Sequence, residues 1–107
     1  MNAYLTDEVD LVSVVHDADG VEVRVVTQGV AARVSERNRM VLDADGREVV
    51  GSMEIMLDPT VSIDYSTRVI VKRLGGSAYA QATKEWQIKQ LSIGHLFATR
   101  THVEVWV

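Results

Sequence analysis

Alternation of apolar and polar residues recurs along almost the whole chain and leaves little room for any fold but a sheet. Val21, Val23 and Val25 alternate with Glu22 and Arg24, and Val30, Ala32 and Val34 alternate with Ala31, Arg33 and Ser35. Val49, Met53, Ile55 and Leu57 share one face of a further run, with Ser52, Glu54 and Met56 on the other. RVIVKR (68–73) is a short apolar run with basic ends. Val103, Val105 and Val107 close the chain, with Glu104 and Trp106 pointing the other way. A two-residue period puts successive side chains on opposite faces of a strand, so each run predicts one inward and one outward face.

One run breaks its own period. In EWQIKQLSIG (85–94), Trp86 and Ile88 are even while Leu91 and Ile93 are odd. Both pairs can point inward only if one residue is inserted, which predicts a β-bulge near Lys89–Gln90. Bulges bend strands, and bent strands let a small sheet close on itself. The sole proline, Pro59, ends a strand after Leu57–Asp58, and Gly75–Gly76 opens a flexible connection, GGSAYAQATK. Its AYAQATKEW end has some helical propensity but is too short for an independent helix. The first ten residues read equally as a loose strand or a short helical turn. The expected architecture is all-β, a small six- to seven-stranded antiparallel barrel or tight sandwich, with residues 1–107 forming one domain.

The tetrapeptide DADG occurs twice, in VVHDADGVEV (14–23) and in MVLDADGREV (40–49). A calcium loop of the EF-hand type needs an acid five residues before its glycine and a glutamate six after it. Alignment on Gly46 puts Val41 and Ser52 at those places, and alignment on Gly20 puts Val15 and Val26 there. Calcium is excluded on both counts. As a turn the motif is coherent: Asp bonds backbone groups ahead of it, Ala–Asp fit the centre of a type I turn, and Gly takes the left-handed conformation that starts the next strand. The shared V-x-D-A-D-G-x-E-V is too short for a domain duplication. Two acidic hairpin turns are expected.

The remaining signals exclude more than they assign. A net charge of −4 gives no general attraction to nucleic acid or anionic membrane. The absence of cysteine removes disulfides, thiolate metal sites and thiol nucleophiles, and fits a reducing compartment. MNAYLTDEVD lacks the basic start and apolar run of a secretory signal, and no apolar stretch approaches the roughly 20 residues of a membrane span. A soluble product made in the cytoplasm is expected. His16, His95 and His102 show no zinc spacing, and no nucleophile elbow, P-loop or dinucleotide fingerprint is present. Asp58 and Asp64 read as turn residues. No enzyme, cofactor, metal or small-molecule substrate is expected.

SERNRMVLDADGREVV (35–50) is longer than a tight hairpin requires. Its first half is basic, with Arg37 and Arg39 preceded by Arg33, and its second half acidic, with Asp43, Asp45 and Glu48. It reads either as an extended hairpin with a charged, soluble tip or as a projecting loop that meets a partner, another copy or nucleic acid. Arginine favours phosphate contacts through its planar fork, while the nearby acids oppose simple DNA affinity.

GVAARVSERNRMVLDADGREVVGSMEIMLDPTVSIDYSTRVIV (29–71), with WQIKQLSI (86–93) and THVEVWV (101–107), resembles the head-closure proteins, or head-to-tail stoppers, of long-tailed bacteriophages. The shared pattern is a strand with an arginine, a charged excursion, D-x-D-G-x-E leading into a strand, a late aromatic strand and an H-x-E-x-x close. It covers roughly residues 28–107; the first 27 match loosely. The resemblance implies a small SH3-like or related barrel that forms a homo-oligomeric ring in the virion neck, between an adaptor ring above and a tail terminator or tail below. It also implies a long loop, here 36–48, that enters the channel and helps retain the packaged DNA end. Arg37, Asn38, Arg39 and Met40 then become the inward tip, and Asp43, Asp45 and Gly46 the returning turn. The loop is expected to be mobile in an isolated subunit, and Arg37 or Arg39 of one copy to pair with Asp43 or Asp45 of the next.

Met56 and Trp106 are candidate subunit-interface residues, because Met and aromatic side chains suit interface cores. Trp106 reads equally as a terminal side chain folded back on the body. Two other readings remain open. One is a small-barrel module for peptide or nucleic acid, against which the acidic charge and sparse aromatics stand. The other is a different neck or tail-completion protein such as a tail terminator, a class generally built with helices.

Overall fold

The computed structural model describes residues 5–96 and 99–107, with side chains described outside 94–102. Its elements are β1 (Asp7–His16), β2 (Glu22–Leu42), β3 (Glu48–Leu57), β4 (Arg68–Leu74), β5 (Ser77–Ala78), β6 (Trp86–Gln87), β7 (Gln90–Leu96) and β8 (Thr99–Trp106). All strand pairings are antiparallel, in the order β5-β4-β1-β2-β3-β8-β7, with β6 also paired to β4. The all-β expectation holds. The N-terminal stretch is strand from Asp7 onward, and its first four residues lie outside the described ones. Between Ala78 of β5 and Trp86 of β6, AYAQATKEW forms a turn at residues 80–83, with one Lys84 N–H to Gln81 C=O bond of 3.0 Å.

The sheet is open, and the expected closure into a barrel is not seen in its hydrogen bonds. β6 pairs with β4 through Arg68↔Gln87 and Val69↔Trp86, while β7 pairs with β8 from Gln90↔Trp106 onward. The chain changes partner at Ile88–Lys89, where the Lys89 N–H reaches the Trp106 carbonyl at 2.7 Å. The bulge expected near Lys89–Gln90 is thus a full interruption of the strand. Ile88 is buried and Trp86 and Leu91 pack against the core, as the change of period required, but Ile93 stays 41% exposed.

Period-2 patterning builds the core. β3 alternates buried and half-buried residues from Gly51 to Leu57, with Met53, Ile55 and Leu57 facing inward. They meet Val9 and Leu11 of β1, Ala32 and Val34 of β2, Val69 and Val71 of β4, and Val103, Val105 and Val107. Fully burying one such side chain contributes about 1.5–3 kcal/mol, so the sheet is held chiefly through this face.

β2 organises the molecule. Its 21 residues would span roughly 70 Å if straight at about 3.3 Å each. The longest dimension of the molecule is 42 Å, so β2 must bend. It does so at two register shifts. Opposite β1, Val9↔Val30 gives way to Leu11↔Thr27, setting Gln28–Gly29 against Asp10, with Gly29 at φ +68°. Opposite β3, Glu36↔Met53 gives way to Arg39↔Gly51, leaving Arg37–Asn38 against Ser52. Such bulges increase twist and redirect a strand. The first is held by buried Asp10, whose Oδ1 accepts the Gly29 N–H at 3.1 Å while its Oδ2 faces Lys72 Nζ at 3.8 Å. Buried Asp7 accepts the Val34 and Gly75 N–H groups at 2.8 and 2.9 Å, tying β2 to the turn after β4.

Candidate functional site: two hairpins on one bent strand

Both DADG copies form the same turn. Gly20 and Gly46 donate their N–H groups to the carbonyls of Asp17 and Asp43 at 3.0 Å, with φ of +77° and +78°. Asp17 Oδ1 accepts the Asp19 and Val21 N–H groups, and Asp43 Oδ1 those of Asp45 and Arg47, each at 2.9 Å. One oxygen thereby satisfies two donors that the tight reversal would leave unpaired. Asp43, Asp45 and Gly46 are therefore turn residues, as expected. Asp58 and Asp64 lead two further turns. Thr60, first through its N–H and then its hydroxyl, holds the Asp58 carboxyl below its ordinary range, and Ser66, first through its hydroxyl and then its N–H, does so for Asp64.

The segment 36–48 is not a loop. Arg37, Asn38, Arg39 and Met40 lie within β2, and pairing with β3 continues through Leu42↔Glu48, so only the DADG turn lies between the strands. Of the two readings of this segment, the extended hairpin is the one seen, with a bulge at Arg37–Asn38. Charged residues suit this ribbon because much of it lies in solvent, where polar side chains cost nothing by staying exposed. Met40 remains 57% exposed and, with Leu42 and Val50, forms an apolar patch on the hairpin.

Trp106 is buried, which matches the reading of its side chain folded back on the body and corrects the alternative of an exposed interface residue. Its indole covers the face of Gly51, where a Cβ would stand 2.8 Å from Trp106 Cε3. The guanidinium carbons of Arg37 and Arg39 lie 5.4 and 5.7 Å from the ring centroid, within cation–π range. Its Nε1 donates to Glu104 Oε1 at 3.1 Å. Arg37 also pairs with Glu54 of its own chain at 2.7 Å. Arg39 has no carboxylate partner among the described residues. Met56 is half-buried in a shallow depression lined with Arg33, Ser35, Arg37 and Glu54.

A second open apolar surface lies on the β1–β2 hairpin. β4 pairs with β1 only from Glu8 to Val12, and β3 pairs with β2 only from Ala32 onward. Ser13–His16 and Glu22–Val25 therefore form a two-stranded arm with no third strand on either edge among the described residues. Val15↔Val23 and Ser13↔Val25 share one face of it, and Val15, Val21, Val23 and Val25 are 39–57% exposed. The other face carries Val14 and His16, which line a depression with Tyr65, Thr67 and Arg68. Arg24 ties the arm to Glu85 at 2.5 Å. The VEVRVV alternation signalled the strand; its lack of any covering element could be read only from the register.

Burial, and then the charge of Glu36, raise the Tyr79 hydroxyl above its ordinary 10.0. Among the described residues no cluster of three or more His, Cys, Asp or Glu could hold a metal, and no helix is long and apolar enough to cross a membrane. The side chains of His95 and His102 lie outside the described residues. Comparison with protein-family models, with curated proteins and with solved structures finds no match to this chain.

Proposed function

We propose that this chain is a structural protein of a phage neck, a head-to-tail stopper that joins head to tail and helps close the DNA channel. The observation that carries the reading is the bent β2. One 21-residue strand passes through the core and supplies a strand to two hairpins, each presenting exposed apolar and charged residues beyond the packed body. A subunit that must touch copies of itself and two different neighbours needs separate contact elements on one rigid frame. The sequence resemblance over residues 28–107 supports the same reading, because its charged excursion and D-x-D-G-x-E return correspond to the β2–β3 hairpin.

On this reading the protein is made in the host cytoplasm and resides in the virion neck. It forms a ring of identical copies between an adaptor ring and a tail terminator or tail, with Arg39 and Met40 on the hairpin nearest the packaged DNA. Its role is mechanical, not catalytic. Purified protein is expected to co-sediment with DNA-filled, tailless capsids and not with empty heads that lack a neck; failure to bind such capsids would overturn the reading.

A second reading, a module that binds an extended peptide, is favoured by one feature. The bare edges of the β1–β2 arm offer main-chain donors and acceptors to an added strand. Saturable binding of short peptides by a chain that ignores capsids would favour it.

A further inference from the structure

We propose that the β1–β2 arm of one copy docks on the β2–β3 face of the next, across Arg33, Arg39 and Met56. The inference rests on the ring reading and names its contact. The arm carries four exposed valines on or near one face and two bare strand edges, a combination that pairs readily with another chain unless something covers it.

Charge selects the occupant. The tip of the arm bears exposed Asp17, Asp19 and Glu22. Asp17 is engaged with turn N–H groups, Asp19 and Glu22 have no cationic partner among the described residues, and the arm's one arginine, Arg24, is already paired with Glu85. The β2–β3 face presents the reverse. Among the described residues Arg33 and Arg39 are exposed without a carboxylate partner, and Arg37 is held by Glu54. Half-buried Met56, paired with Arg33 on one side and Glu104 on the other, supplies an apolar floor beside Arg33, while Arg39 lies further along the hairpin over Trp106. Acids without a cationic partner beside valines thus match Arg33 beside Met56, and Arg39 further along the hairpin, on a second copy.

Donor and acceptor are different surfaces, so the contact is heterologous and repeats around a ring or along a filament. It adds a role for the arm, which the stopper resemblance matches only loosely, and of the two candidate interface residues it keeps Met56, beside Arg33, and not buried Trp106.

The absence of cysteine makes the test specific. Chains carrying Val23→Cys and Met56→Cys separately are mixed and oxidised, in solution and again after binding to DNA-filled capsids. The expected result is a cross-link between the two variants in excess over either variant with itself. Val23→Cys linking only to itself, or neither variant linking at all while both remain folded, overturns the contact. Capsid binding without the mixed cross-link overturns the contact and leaves the neck reading standing. The mixed cross-link without capsid binding does the reverse. As an independent measure, Asp19→Lys with Glu22→Lys should weaken self-association about 1.5- to 5-fold per pair lost, and Arg33→Glu with Arg39→Glu on the partner should restore it. No rescue would overturn the charge match.

Discussion

Gly51→Ala is the sharpest probe of how the C-terminus is held. Gly51 has no left-handed backbone requirement, so in an ordinary strand an added methyl would stabilise the protein by about 0.5–1 kcal/mol through reduced unfolded-state entropy. Here the new Cβ would lie 2.8 Å from Trp106 Cε3 and 3.3 Å from Trp106 Cβ. The indole has little freedom to retreat, since it is fully buried, stacked by Arg37 and Arg39, and bonded to Glu104. Overpacking of this kind costs roughly 1–3 kcal/mol, which outweighs the entropic gain and leaves a net loss of about 1–2 kcal/mol. For a domain of this size that lowers Tm by on the order of 5–10 °C. Thermal and urea unfolding of the purified variant would measure it. The sign should reverse when Trp106 is replaced by Leu, because the obstacle is then gone. A Gly51→Ala protein at least as stable as its parent, with Trp106 intact, would refute this packing.

Other substitutions test the remaining supports. Asp43→Ala removes an oxygen that accepts two N–H groups in the exposed β2–β3 turn, and should cost about 0.5–1.5 kcal/mol in urea unfolding. Asp7→Ala orphans the Val34 N–H in the interior as well as releasing that of Gly75, so a larger loss of about 1–3 kcal/mol is expected by the same measurement. The carboxyls of Asp58 and Asp64 are held below their ordinary 3.8 in the folded chain. Their contribution is therefore present above that value and lost as pH falls through the lower folded value. Asn at both positions should flatten the acid limb of a stability–pH curve below about pH 4 without changing its neutral limb.

The sequence made the strands legible wherever a core face existed to be patterned. Met53, Ile55 and Leu57 alternate because both sides of β3 have a fixed destination, and the doubled DADG declares its turns through side-chain chemistry alone. The partner change at Ile88–Lys89 was visible as a slip in period, though not as an interruption. What failed was any inference that depended on where the body ends. SERNRM looks like loop because its charges have no periodic reason to be in a strand, yet a two-stranded ribbon in solvent needs none; its backbone pairing is enough. VEVRVV looks like an ordinary core strand, and only the register reveals that β3 and β4 stop short of it. Trp106 reads equally as exposed or folded back until Gly51, far away in sequence, is seen to leave space for it.

Tail joining tests the central proposal most directly. DNA-filled heads made without this protein would be mixed with purified tails, with and without the added chain, and scored for infectious particles and retained DNA. The added chain is expected to restore tail attachment and DNA retention, and Val23→Asp, placed on the open face of the arm, to do so far less well while remaining folded. Heads that join tails equally in its absence, or stay unjoined when it is supplied folded and in excess, would contradict a stopper role.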